Sequence, residues 1–248
     1  MKAALKREHS EYPQSWAALT SGLALQQIIA NACGPSLRMC FGYHFLKLGN
    51  LSAEIKCDEC TINHKIAITA RQQPYSSIVA KATDLPLTEN SIDAVLLANE
   101  LDFSADPHQI LREVDRIITP NGHVIITGLN PFSLDGLLHL LPIKRRSLLA
   151  KARYFRQGRV NDWLQLLGFE IIEQRKLAHF SLFLNRSSAP MRWLNRFCQR
   201  YLPWSGAAYV IVARKREIPL SLVKPSWRLK PKFSAVGASV RVAKATKA

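Results

Sequence analysis

A chain of 248 residues with 48% hydrophobic side chains suffices for one sizeable core with extensions. No charge-free apolar run approaches the ~18 residues of a membrane-spanning helix, and an odd count of five cysteines does not suggest a disulfide framework. Lys and Arg total 34 against 18 Asp and Glu, and a charge of +16 attracts polyanions such as nucleic acid or anionic lipid. The basic, polar residues 1–11 lead into no apolar segment with a cleavage site, so the expected location is the cytoplasm, with the membrane surface as a second place.

In chain order, residues 16–32 read as a helix, with Trp16, Leu19, Leu23, Gln27 and Ala30 near helical spacing. Residues 43–48 suit a short strand ending at Gly49-Asn50. Residues 64–69 and 77–82 suit two more. Residues 92–98 are almost wholly apolar, as a parallel strand buried on both faces should be. Asp106 is a good N-cap, Pro107 fits the first helical position, and Gln109 completes a capping box. Ile110, Leu111, Val114, Ile117 and Ile118 then form an apolar face. Residues 119–122, Thr-Pro-Asn-Gly, read as a tight turn, and residues 123–127 as a strand. Strand, helix, turn and strand in this order make a βαβ crossover and a parallel sheet. A helix over 160–167 stopped by Gly168, a strand over 169–176, an amphipathic helix over 189–201 and a closing strand over 207–213 complete the pattern.

The charge is uneven. No acid lies between Asp135 and Asp162, where Lys144, Arg145, Arg146, Lys151, Arg153, Arg156 and Arg159 stand. Glu217 is the only acid from Arg214 onwards, and that proline-containing tail shows no period, so it reads as loosely ordered. Arg192, Arg196 and Arg200 beside Trp193, Leu194 and Phe197 make a basic amphipathic face. Cys57, Cys60 and His64 could supply three zinc ligands, with Cys33 and Cys40 upstream. The competing reading is a set of surface and strand-edge thiols, and no metal is assigned.

The stretch Asp84-Leu85-Pro86-Leu87, Ser91-Ile92-Asp93-Ala94-Val95, Leu111-Arg112-Glu113-Val114 and Pro120-Asn121-Gly122-His123-Val124 resembles the central part of class I S-adenosylmethionine-dependent methyltransferases. Those carry a D-x-L-P-F…S-F-D-x-V strand, then an L-x-E-x-x-R-x-L-x-P-G-G helix and turn. Gly168-Phe169 resembles the G-F before their sixth strand. The resemblance implies a Rossmann-like α/β fold: a mostly parallel sheet with helices on both faces. The N-terminal half should be reduced, because the span from Gly49 to Ser77 is short for two full helices and a strand. It also implies methyl transfer with S-adenosylmethionine as cofactor, in a domain over 36–216 that carries a basic insert, 137–159. Residues 1–35 form an extension ahead of it and 217–248 a tail.

In such a sheet the ligand site lies beyond the carboxyl ends of the strands. The expected cofactor-binding positions are Gly49, Asn50, Asp84, Leu85, Asn99 and Glu100. The family's glycine-rich turn is reduced to Gly49-Asn50, Ala70-Arg71 replaces the acid after the second strand, and Lys81 stands at an adenine-side acid. Asn130-Pro131-Phe132 is similar to the N-P-P-F motif of amino-methyltransferases, so Asn130 is a candidate substrate ligand. Lys144, Arg145 and Arg146, with Leu148, Leu149, Tyr154 and Phe155 near them, suit an anionic acceptor with an apolar body, small or membrane-associated. No general base is assigned. The alternatives are a non-catalytic relative that kept the scaffold, and an RNA-binding module using the basic insert and tail.

Overall fold

A computed structural model describes residues 12–19, 21–133, 148–177 and 206–216. The apolar run Ile92–Ala98 becomes β4, buried on both faces at the middle of a seven-stranded sheet. On one side of it lie β1 (His44–Leu48), β2 (His64–Thr69) and the two-residue β3 (Ile78–Val79). On the other lie β5 (Ile118–Leu129), then β7 (Ala208–Lys215), then β6 (Phe169–Leu177) at the edge. β1 to β5 pair in parallel, while β7 is antiparallel to both β5 and β6.

The last strand therefore inserts itself rather than closing an edge. Its residues Ala208 to Ala213 are all apolar and buried, which demands cover on both faces. β6 carries Glu170, Glu173, Arg175 and Lys176 and suits an edge, where charge discourages further pairing.

Helices cover both faces, as the resemblance implied. One core joins α1 (Gly22–Arg38), α2 (Asn50–Glu54) and α5 (Leu148–Lys151) to Phe45, Leu96 and Ile125. The other joins α4 (Pro107–Ile117) and α6 (Gln157–Leu166) to Leu46, Val95 and Ile126. A further short helix, α3 (Glu100–Phe103), follows β4 directly. The N-terminal half is reduced as expected: α2 spans five residues, and no helix separates β2 from β3.

Four local expectations change. The helix expected over 16–32 is a 3-10 turn, Trp16–Ala18, then α1, which starts after Ser21 in a left-handed conformation (φ 58°) and runs through Pro35 to Arg38. The fully buried Trp16 donates its indole N–H to the Leu51 carbonyl at 2.8 Å, and this tertiary demand overrides helical spacing. The strand expected over 77–82 shrinks to Ile78–Val79, ending in a turn where Asp84 N bonds to Lys81 O. Residues 119–122 are a bulge rather than a free turn: β5 pairs with β4 at Ile118 and again from His123, and Asn121 takes φ 64°. The capping box at α4 is half made. Asp106 accepts the Gln109 N–H at 3.0 Å, but the Gln109 amide turns away to Thr83 O and Arg112.

α1 crosses residue 35 and buries Leu25, Ile29, Cys33 and Leu37 in the core. The helix expected over 189–201, the tail 217–248, and Lys144, Arg145 and Arg146 lie outside the described residues. Among the described residues no helix is long and apolar enough to cross a membrane.

Candidate functional site at the carboxyl ends of the strands

Parallel strands deliver their C-terminal residues to one edge of the sheet. β1 ends there in Gly49, whose φ of 96° is open to glycine and whose missing Cβ leaves room for the Glu100 carboxylate and the Tyr12 hydroxyl. Asn50 and Glu100 are 2% and 4% exposed. Glu100 Oε2, Asn50 Oδ1 and the Tyr12 hydroxyl are each buried without a hydrogen-bond partner. The Asn50 amide N–H donates to Pro13 O at 3.3 Å, Trp16 N–H to Glu54 Oε2 at 3.2 Å, and the Gln73 amide to Gln14 O at 2.7 Å. Residues 12–19 thus form a strap from α2 to the β2–β3 loop, beside Gly49.

β4 ends in Asn99, left-handed (φ 55°) and fully buried. Its N–H reaches Thr127, its side-chain oxygen accepts the Thr127 hydroxyl at 3.1 Å, and its Nδ2 donates to Asp102 Oδ2 at 3.0 Å. Asn99 is thereby spent on joining β4, α3 and β5. Asp102 accepts the Leu129 N–H at 2.9 Å as well, and its Oδ1 has no partner. Burial pushes the Glu100 carboxyl up to about 8. It pushes Asp102 to about 8 too, against the opposing hydrogen bonds from Leu129, Asn99 and Phe155.

The other expected positions separate from this cluster. Asp84 is exposed. Leu85 is buried in the α4 core, and its N–H donates to Glu113 Oε2 at 3.1 Å. Among the described residues no hydrogen bond joins either to Gly49, Asn50, Asn99 or Glu100. Asn130 donates its amide to Gly206 O at 2.7 Å and accepts the Phe132 N–H, so its side chain builds a turn at the end of β5.

The described part of the insert caps the same edge. Arg153 N–H donates to Asp102 O at 2.7 Å. Arg156 stacks over Phe132, and Arg159 over Trp163, at 5.5 and 5.3 Å. His108 packs on Trp163. Burial first, then Arg159, Arg112 and Arg153, lower its pKa, with Asp106 opposing.

The cysteines behave differently from the expected surface thiols. Cys33, Cys40, Cys57 and Cys60 are all buried. Burial, reinforced by neighbouring thiols, pushes Cys33 and Cys40 up to about 12, and burial pushes Cys57 to about 11 against the opposing charges of Lys47 and Lys65. His64 turns instead to His44, Nδ1 to Nδ1 at 2.7 Å. Among the described residues no group of three or more His, Cys, Asp or Glu is arranged to hold a metal ion.

Sequence reasoning did not single out Tyr12 or Asp102, and placed Trp16 only on a helix. Asp102 did leave a signal, an acid enclosed by Leu101 and Phe103. Tyr12 left none, because only the strap's path brings it to Gly49.

The unpartnered buried atoms beside Gly49 suit a polar ligand at the end of β1, on the edge where open α/β sheets bind their ligands. The ribose side is less complete, since exposed Ala70 and Arg71 follow β2. Residues 40–126 match the family model described as a methyltransferase domain. The uncharacterized protein YafS of Escherichia coli (strain K12) is 35% identical over 230 residues, 92% of each chain. The uncharacterized protein MJ1123 of Methanocaldococcus jannaschii is 25% identical over 112 residues, 45% of this chain and 55% of that one. Among solved structures, an S-adenosylmethionine-dependent methyltransferase of Thermotoga maritima overlays with a TM-score of 0.56 at 17% identity, covering 78% of this chain and 92% of that one. One from Archaeoglobus fulgidus overlays at 0.50 and 17%, covering 77% and 94%. Strand order, domain match and near end-to-end similarity agree: the chain belongs to the YafS family and carries a methyltransferase domain on the fold of S-adenosylmethionine-dependent methyltransferases.

Proposed function

We propose that this methyltransferase acts on an anionic acceptor with an apolar body, a small molecule or one at a membrane surface, gripped by the basic insert. The observation that carries the proposal is the seating of Arg153, Arg156 and Arg159, interleaved with Phe132, Phe155 and Trp163, against the ends of β4 and β5. Guanidinium groups over aromatic rings offer charge and apolar area together. Gly49, Asn50 and Glu100 border the cofactor side. When bound, S-adenosylmethionine supplies an activated methyl group on a sulfonium. The chain's own contribution is orientation, a large part of the acceleration in a bimolecular transfer. Asp102 serves this by holding Leu129 and Arg153 in one arrangement.

Reversing Arg153, Arg156 and Arg159 to Glu tests the reading. Sedimentation with anionic phospholipid vesicles, or binding of small apolar acids, should be lost. Affinity for S-adenosylhomocysteine, by calorimetry, should stay within about twofold. The same is expected on reversing Lys144, Arg145 and Arg146. Undiminished vesicle and acid binding overturns the proposal. So does tight, specific RNA binding with no affinity for vesicles or acids, which would favour the RNA-binding alternative.

A further inference from the structure

β1 and β2 each begin with a histidine, and their parallel register sets His44 directly opposite His64. The rings stand edge to face with centroids 4.8 Å apart, and the two Nδ1 atoms face each other at 2.7 Å. His44 is half-buried and His64 is exposed. These are the amino ends of the strands, at the edge of the sheet opposite to Gly49.

The backbone on both sides of the pair is held. Asp93 Oδ2 accepts the Tyr43 and His44 N–H groups at 2.6 and 3.0 Å, and its Oδ1 accepts the Thr119 hydroxyl at 3.3 Å. Gly42, with φ 137°, lets the chain close on this carboxylate, which a Cβ there would strike. Ahead of His64, the Thr61 hydroxyl donates to Cys40 O at 2.6 Å, and after it the Lys65 ammonium donates to Cys57 O at 2.8 Å. The imidazoles are thus presented from two fixed points rather than from loose loops.

Two imidazole nitrogens at this separation hold one proton between them, with one ring donating and the other accepting. Both Nδ1 atoms therefore aim at a common point that one electrophile fills. A metal ion with nitrogen ligands at about 2.0–2.1 Å and tetrahedral angles sets those ligands about 3.3 Å apart, so the rings need open by only about 0.6 Å. The shared proton moves to Nε2 of its own ring, the other neutral tautomer, and both Nδ1 lone pairs become ligands. Imidazole nitrogen selects zinc, nickel or copper over magnesium and calcium, which take oxygen.

We propose that His44 and His64 form a binding site for a divalent transition-metal ion of the zinc and nickel class, which clips the amino ends of β1 and β2 together. Among the described residues no group of three or more His, Cys, Asp or Glu is arranged around a metal, so water completes the coordination. Cys57 and Cys60 take no part, because both thiols lie in the core. The clip acts where burial does not: His64 and Lys65 at the start of β2 are exposed, whereas Ala67, Ile68 and Thr69 at its end are buried. The proposal is independent of the methyltransferase reading, since the pair lies at the other edge of the sheet.

Calorimetry on the full-length, untagged protein with Zn(II), with Ni(II) and with Mg(II) as control tests the site. Zn(II) and Ni(II) should bind and Mg(II) should not. His44→Gln and His64→Gln should each weaken binding about tenfold or more, because the second nitrogen binds a metal already held by the first. Cys57→Ser should leave the affinity unchanged. Saturating Zn(II) should also raise the urea midpoint of the wild type, since it joins two strands that are adjacent only in the folded chain, and should not raise that of either histidine variant. Without metal, the midpoint of His64→Gln should match the wild type, as its side chain is on the surface, so this variant carries the test if His44→Gln disturbs the fold. Equal metal binding by the wild type and both histidine variants places the ion elsewhere and overturns the proposal. Loss in His64→Gln and Cys57→Ser, with His44→Gln unaffected, assigns the ion to the thiols and overturns it too. So does the absence of Zn(II) and Ni(II) binding to the wild type.

Discussion

Asp102 and Glu100 show how a residue's surroundings change its chemistry. Both carboxyls keep their protons up to about pH 8 in the folded chain, because burial disfavours the charge. In the unfolded chain they release them near pH 4. The folded state therefore binds more protons between these values, and stability is fully present below the unfolded pKa. It declines as pH rises through the folded pKa, by about 1 kcal/mol per pH unit for each group. Asp102→Asn keeps an acceptor for Leu129 and Asn99 but removes the titrating proton. Urea unfolding at about pH 5 and pH 8 should show a shallower decline for the variant than for the wild type. An equal decline would show that Asp102 titrates normally.

Among the elements, the strap is the one that local sequence misrepresents. Trp16 and Leu19 sit at helical spacing, yet Trp16 leaves the helix to fill the core above Leu51. Trp16→Ala removes a fully buried ring and its indole hydrogen bond, and should cost about 3 kcal/mol or more in the urea midpoint. It should also weaken S-adenosylhomocysteine binding, because Tyr12 loses its anchor. A variant that unfolds like the wild type would show the strap to be held elsewhere. α4 is the opposite case. Its cap, its first-turn proline and its apolar stripe are local features, and the helix begins where they place it.

At the scale of the molecule, charge and core are distributed separately. Residues 220–248 carry seven Lys and Arg and no acid, with a composition that buries little. Their removal should leave cooperative unfolding intact, followed by circular dichroism in urea, and should weaken binding to anionic vesicles at low salt. Loss of the cooperative transition would place the tail in the core. The described core needs no such contribution: two apolar layers lie on a sheet whose central strands are buried on both faces.

The sequence by itself determined what depends on short-range pattern. β2 and β4 run over the residues that hydrophobic patterning marks, and Gly168, with φ 84°, follows the end of α6 as glycine permits. The run from Asp84 to Val124 carried the resemblance to methyltransferases, since its strand, helix and bulge are consecutive in the chain. Tertiary structure alone decided the antiparallel placement of β7 between β5 and β6, because strand neighbours are chosen by burial on both faces and not by order in the chain. It alone separated the expected site residues as well. Gly49, Asn50 and Glu100 meet because β1 and β4 are adjacent and parallel, whereas Asp84 and Leu85 are drawn toward α4. Tyr12, 37 residues before Gly49, joins them through hydrogen bonds that no local pattern encodes. Burial, too, is a property of the assembled fold, and burial is what keeps the protons on two ordinary carboxyls at neutral pH.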